Sequence, residues 1–266
     1  MTSTLRNLFN WIQFLIIILF NITSHSQSTL SSLNKKNNDF HSEKIVLETI
    51  TNTTFYNSSG TIEYTKEITS YNTQNNVLTE LRYDGNNNLK QRLTRTYDST
   101  GNVCTARKFE NWHPYLGHTI EVASYKFDSK GFLIHTNDKN QKGQIFRYTD
   151  FINNDKGDPI ELVNYNGNQM IGKEKNEYDY DKNEVIIKYF NQNDELVNTQ
   201  TSTIDYSKIS SGDIVNEYGD IIKSATYEME IKYDKFGNWI KKKYSKIKNG
   251  KLVKQSETSR TIKYLK

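Results

Sequence analysis

Proline and cysteine are almost missing from this 266-residue chain, and no second long apolar run follows its first twenty residues. The single cysteine, Cys104, excludes an intramolecular disulfide and a thiolate metal cluster. It sits in a strand-like stretch, Val103-Cys104-Thr105, and reads as a small packed residue rather than a nucleophile. The only prolines are Pro114 and Pro159. No stretch after residue 45 carries a 3.6-residue apolar stripe with helix caps. Charge of one sign is also scarce, with 35 basic against 31 acidic residues. The small excess collects near the C-terminus, in Lys241, Lys242, Lys243, Lys246, Lys248, Lys251 and Lys254. That is too little for a nucleic-acid footprint and reads as a solvated face, or as lysines guarding an edge strand.

What the chain does have is tyrosine, asparagine and short turn signals. Eighteen Tyr residues lead an aromatic content of 12%. Aromatic rings suit half-buried strands, because they lie well on a pleated surface.

Residues 1–26 read as a secretory signal peptide. Arg6 precedes an apolar run from Trp11 to Phe20, and small residues stand at Ser24 and Ser26. Cleavage is expected before Gln27, with no nearby cysteine for lipid attachment. Residues 27–44 read as a flexible leader and residues 45–266 as one repeat domain. The expected location is the periplasm, the cell surface or the medium. No transmembrane segment is expected after cleavage.

From Ile45 onward, strand-like runs alternate with turns of one pattern: Asp or Asn, two variable residues, Gly or Asn, a polar residue, then an apolar one. Examples are Asp98-Ser-Thr-Gly101-Asn102-Val103, Asp128-Ser-Lys-Gly131-Phe132-Leu133 and Asp234-Lys-Phe-Gly237-Asn238-Trp239. The leading Asp or Asn can accept turn N–H groups, and the Gly supplies a positive φ. A Tyr precedes the Asp at Tyr83, Tyr97, Tyr180 and Tyr233. Between turns the pattern alternates with period two. Residues 221–233 read as one long strand with a mainly apolar face of Ile221, Ala225, Tyr227, Met229, Ile231 and Tyr233. The expected fold is all-β, an antiparallel meander of short hairpins in one large curved sheet. A closed barrel or two packed sheets are the alternatives.

The Tyr83-Asp84, Tyr97-Asp98-Ser-Thr-Gly101-Asn102 and Tyr233-Asp234-Lys-Phe-Gly237-Asn238-Trp239 segments resemble YD repeats, the tyrosine–aspartate repeats of rearrangement-hotspot-type proteins. The resemblance spans roughly residues 60–266. It implies an exported or cell-surface protein made of long antiparallel sheets, in a family where some members are linked to carbohydrate. It carries over no catalytic residue, and the chain is far too short to enclose cargo.

Chemistry-bearing residues are densest at Asn111-Trp112-His113-Pro114-Tyr115-Leu116-Gly117-His118, where the repeat is expected to break into a longer connection. Trp112, His113, Tyr115 and His118, with Trp239, are the candidate binding residues. The two histidines lack further ligands at a zinc spacing, so no metal is expected. No cofactor is expected either. The turn aspartates lack the pattern of a calcium loop, and no carboxylate pair stands out for glycoside chemistry. A transmembrane barrel is disfavoured by Gln91, Arg95 and Lys223 on positions expected to face lipid. The sequence therefore favours a non-enzymatic binding or scaffold protein, with a glycan or cell-surface protein as partner. An exported hydrolase and a purely structural envelope component are the competing readings.

Overall fold

The computed structural model describes Thr29 and residues 40–57, 62–205 and 212–266. The expected signal peptide lies outside the described residues. The strands are β1 (Val46–Tyr56), β2 (Ile62–Tyr71), β3 (Val77–Tyr83), β4 (Leu89–Tyr97), β5 (Cys104–His113) and β6 (Gly117–Phe127). They continue with β7 (Leu133–Asn140), β8 (Ile145–Asn153), β9 (Pro159–Asn166), β10 (Gln169–Asp179), β11 (Glu184–Asn191) and β12 (Leu196–Thr203). The last five are β13 (Ile214–Val215), β14 (Ile221–Lys223), β15 (Tyr227–Tyr233), β16 (Trp239–Lys248) and β17 (Lys251–Tyr264).

The protein is all-β. Consecutive strands pair antiparallel from β1 to β12 and again from β13 to β17. The two runs join because β17 pairs antiparallel with β1, matching Thr53 to Thr258. The result is one 17-stranded sheet that does not close. Among the described residues its edges are β12 and β13, and the first and last described strands, β1 and β17, lie inside it. The lysine-rich β16 is therefore flanked on both sides rather than guarding an edge. Two of its lysines are ion-paired: Lys241 to Glu257 at 2.5 Å and Lys243 to Glu230 at 2.8 Å.

The turns follow the expected chemistry closely. At residues 98–103 the Asp98 carbonyl accepts the Gly101 N–H, and its Oδ1 accepts the N–H groups of Asn102 and Val103. Gly101 takes φ +76°, where a side chain would be strained. The same ladder recurs at Asp84, Asp128, Asn154, Asn191, Asn216 and Asp234. These N–H bonds hold the Asp98 carboxyl below its ordinary range, the Val103 amide contributing most.

The tyrosines do more than close a strand. Tyr97, Tyr180, Tyr233 and Tyr264 reach sideways to the previous turn on the same rim. The Tyr264 hydroxyl donates to Asp234 Oδ2 at 2.5 Å and accepts from Asn238 Nδ2 at 2.7 Å. Tyr180 does the same to Asp158 and Asn154, and Tyr233 to Asp220 and Asn216. Tyr97 donates to the Val77 carbonyl beyond the turn at Asn72. The tyrosine thus ties neighbouring hairpins together, and the repeat unit is a hairpin rather than a single strand.

Two expectations are corrected. Residues 221–233 are not one strand. Ser224 N–H donates to the Tyr227 carbonyl and Ser224 Oγ accepts the Thr226 N–H, so a serine turn splits the run into β14 and β15. The buried face is also not mainly apolar. Cross-strand register aligns Thr49, Thr69, Glu80, Leu93, Phe109 and Glu121 in one row. Further along, Asp138, Thr136, Thr149, Asn164, Glu174 and Asn176 are buried beside Ala123, Phe151, Leu162, Val185 and Ile187. Gln91 and Arg95 belong to this buried side, so they do not test a lipid-facing surface as expected. Arg95 meets Glu80 Oε1 at 2.7 Å, and Arg82 meets Glu80 Oε2 at 2.9 Å. The opposite face sets Ile50, Ile68 and Leu81 in register with Arg92 and Glu110, and it also carries Lys66, Lys108 and Lys188. Such charges break up any continuous apolar band.

The described part of the expected flexible leader is held in place. Thr29 donates its N–H and hydroxyl to Glu174 Oε2 at 2.9 and 2.7 Å. His41 N–H donates to Asn238 Oδ1 at 2.8 Å, and Phe40 packs edge-on against Tyr71. Buried acceptors such as Glu174 and Asn238 need donors, and these residues supply them. Burial raises the Glu174 pKa, and the Thr29 bonds offset part of that rise.

Candidate functional site

The expected long connection around Trp112 is a tight hairpin. β5 ends at His113, β6 starts at Gly117, and only Pro114, Tyr115 and Leu116 lie between. Gly117 takes φ +70° to close it. His113 is used up in the turn, its Nδ1 accepting the N–H groups of Tyr115 and Leu116 at 3.2 and 3.3 Å. Tyr115 and Leu116 project outward, 92% and 74% exposed.

Below the tip, Trp112 and His118 are direct cross-strand partners. Their rings stack with centroids 4.7 Å apart and planes 12° from parallel. The Arg92 guanidinium lies 5.6 Å from the Trp112 ring centre. On the same face sits Glu110, which is buried at 5% exposure although it lies on the more open side of the sheet. Its carboxylate is ringed by Lys108 at 3.2 Å, His118 at 3.4 Å and Arg92 at 3.5 Å. Alternation places Lys108, Glu110 and Trp112 on one face, and Lys108 and Arg92 bring positive charge to the one buried acid. Sequence reasoning found Trp112 and His118 but missed Glu110, Lys108 and Arg92. The period-two spacing leading into Trp112 was the available signal.

Trp239 does not join this group. It begins β16 at the opposite rim and is 7% exposed, covered by Arg260 at 3.8 Å and Lys242 at 4.4 Å. Its carbonyl accepts Arg260 Nε at 2.9 Å. A ring so covered is a packing element and offers no stacking face to a ligand, contrary to expectation. Cys104 is likewise structural: burial pushes its thiol pKa up, and the thiol donates to the Ala106 carbonyl.

A second cluster escaped the sequence reading. On β7, β8 and β9, His135 Nδ1 lies 2.6 Å from Asp150 Oδ1, and its Nε2 lies 3.0 Å from Asn137 Oδ1. Tyr148 stacks on Tyr165 at 4.4 Å, with His135 on its other side at 5.6 Å. These residues meet because the turn at Asn140, with Gly143 at φ +76°, pairs β7 with β8. That turn has the Asp/Asn–x–x–Gly form and was overlooked. Asp150 is about half exposed, so the pair stands on an open strand face.

Two open depressions, of about 410 and 450 Å³, lie over β15–β16 and over β16–β17 with β1. Of the lysines that line them, Lys241, Lys243 and Lys254 are matched to Glu257, Glu230 and Glu257, and Lys232, Lys246 and Lys248 line them as well. Among the described residues no group of three or more His, Cys, Asp or Glu is placed to hold a metal.

No protein-family model matches the chain, and no curated protein matches it. Among solved structures it is similar to a porin-like protein from Bacteroides uniformis, with 13% identity over 82% of this chain and 96% of that one, at a TM-score of 0.44. Nothing about this chain's function follows from a likeness of that degree.

Proposed function

We propose that the chain is a non-enzymatic, exported binding module of YD-repeat type, which recognises glycans of the cell surface through its β5–β6 hairpin. The observation that carries this reading is the composition of the hairpin tip. Other described tips on that rim are built from Asp, Glu, Gly, Asn, Gln, Lys, Ser, Ala and Thr, as at residues 84–88, 141–144, 192–195 and 224–226. The β5–β6 tip instead exposes Tyr115 and Leu116 almost fully. Covering them with a ligand removes apolar surface from water at about 25 cal/mol per Å². An exposed tyrosine offers a sugar both a ring face and a hydroxyl. Arg92, Lys108 and His118 below the tip supply hydrogen-bond donors to sugar hydroxyls or carboxylates. The tyrosine-capped turns support the YD-repeat resemblance, and the signal-like residues 1–26 support export.

A glycan array followed by calorimetry tests the proposal. Tyr115→Ala and Trp112→Ala are expected to weaken binding at least tenfold, equivalent to about 1.4 kcal/mol. Tyr115→Ala leaves the fold unchanged, because its side chain is 92% exposed. Absence of wild-type binding to any arrayed glycan overturns the glycan reading. Binding that survives both substitutions overturns the assignment to this hairpin.

A further inference from the structure

Among the described residues, the direction of the strands leaves two sheet edges that do not pair antiparallel with each other. Counting along the antiparallel pairings from β1, strands alternate in direction through β12. Counting the other way through β17, they alternate back to β13. Both counts give β12 and β13 the same direction. Seventeen antiparallel strands form an odd ring, so these two edges cannot close on each other in antiparallel fashion.

The two edges differ. β13 is only two residues long, and such brevity blunts an edge. β12 is eight residues long and is laddered to β11 alone among the described strands. Its residues 196–201 are exposed on both faces, including those that alternate toward the buried side. Its sequence, Leu-Val-Asn-Thr-Gln-Thr-Ser-Thr, contains no charge and no proline, the usual protections of an edge. Only the bulge at the Leu196 end interrupts it, leaving Asn198 to Thr201 regularly paired with β11.

We infer that β12 pairs with the β12 of a second copy of this chain, antiparallel about a two-fold axis, joining two sheets into one. A two-fold interface needs a surface that complements itself. A neutral strand meets this condition: self-pairing sets Thr and Gln side chains opposite one another and brings no like charges together. Cross-strand Thr pairs are favourable neighbours. The outward backbone groups of Asn198 to Thr201 then gain partners from the second copy.

The test is the mass in solution of the whole chain, by light scattering across a wide dilution series, with amide hydrogen exchange on β12. The expected mass is twice that of the chain at high concentration, falling to one on dilution. The amides of Asn198 to Thr201 should gain protection as concentration rises. The Thr199→Glu, Thr201→Glu double variant keeps the single chain intact, since Thr199 lies opposite Lys188 and Thr201 opposite Ile186 on β11. Across the two-fold it gathers four carboxylates, so it should remain monomeric with an unchanged circular dichroism spectrum. A wild-type chain that stays monomeric throughout overturns the inference. So does a double variant that dimerises as tightly as the wild type, or dimerisation without added protection on β12.

Discussion

Changing Tyr264 to Phe tests the finding that Tyr97, Tyr180, Tyr233 and Tyr264 hold the neighbouring turns. The substitution keeps the ring against Phe236, 4.8 Å away, and removes only the hydroxyl. That hydroxyl donates to the Asp234 carboxylate and accepts one N–H of the fully buried Asn238 amide. A hydrogen bond to a charged group contributes about 1.5–3 kcal/mol, and an orphaned buried donor costs about 1–3 kcal/mol more. Asn238 keeps its bond to Ser42 Oγ, and water reaches part of the Asp234 carboxylate, so the total should be about 3 kcal/mol. For a chain of this size that lowers Tm by about 6–12 °C. The control is Tyr83→Phe, because the Tyr83 ring meets Lys66 but its hydroxyl has no hydrogen bond among the described residues. Its effect should stay within about 0.5 kcal/mol. Alkaline titration adds a second readout. Burial, and then the bond to Asp234, raise the Tyr264 pKa to about 12. The folded pKa exceeds the unfolded one, so this stability is complete below about pH 10 and drains away as pH climbs toward 12. The variant should lose that part of the alkaline decline. Equal melting points for the two variants would refute the role given to the tyrosines.

Other outcomes follow from the turns. Hydrogen bonds depress the Asp98 pKa in the folded state, so its contribution is present above the unfolded value near 4 and is lost as pH falls through the folded one. Asp98→Asn keeps the acceptor and removes the charge, so urea midpoints between pH 6 and pH 2 should show a shallower acid slope for the variant. Gly157→Ala and Gly143→Ala impose similar strain, at φ +83° and +76°. Only the first drives its Cβ to within 2.6 Å of the Phe132 ring, while the second meets open space. Thermal melts should therefore show Gly157→Ala to be worse by about 1–3 kcal/mol.

The turns and the strand alternation were legible in the sequence because both depend on local chemistry. Asp98, Gly101 and Tyr97 announce their roles within seven residues. The overlooked turn at Asn140 obeyed the same rule, and recognising it would have placed His135 beside Asp150. Three features were not legible. Ser224 split an apolar alternation that looked continuous, because a hydroxyl satisfied the backbone in place of a partner strand. Arg95 looked like a flaw in an apolar face, because its partner Glu80 lies on the neighbouring strand β3, across the turn at Asp84. The covering of Trp239 depends on Arg260, which reaches it only through the pairing of the last two strands. At the candidate site, the ring pair Trp112 and His118 was visible in the sequence, but the shortness of the hairpin and the caged Glu110 were not.

The pairing of β1 with β17 sets the sheet order and, among the described residues, leaves β12 at its edge. Thr53 and Thr258 are matched across that junction, with hydroxyl oxygens 3.2 Å apart. A Thr53→Cys, Thr258→Cys double variant in a Cys104→Ser background has Cβ atoms within disulfide reach. Mild oxidation should yield an intramolecular cross-link in the folded chain, detected by mass and by altered gel mobility, with folding intact and Tm raised. If no intramolecular link forms, while a Thr53→Cys, Thr65→Cys pair across β1 and β2 links readily, the strand order described for this protein is contradicted.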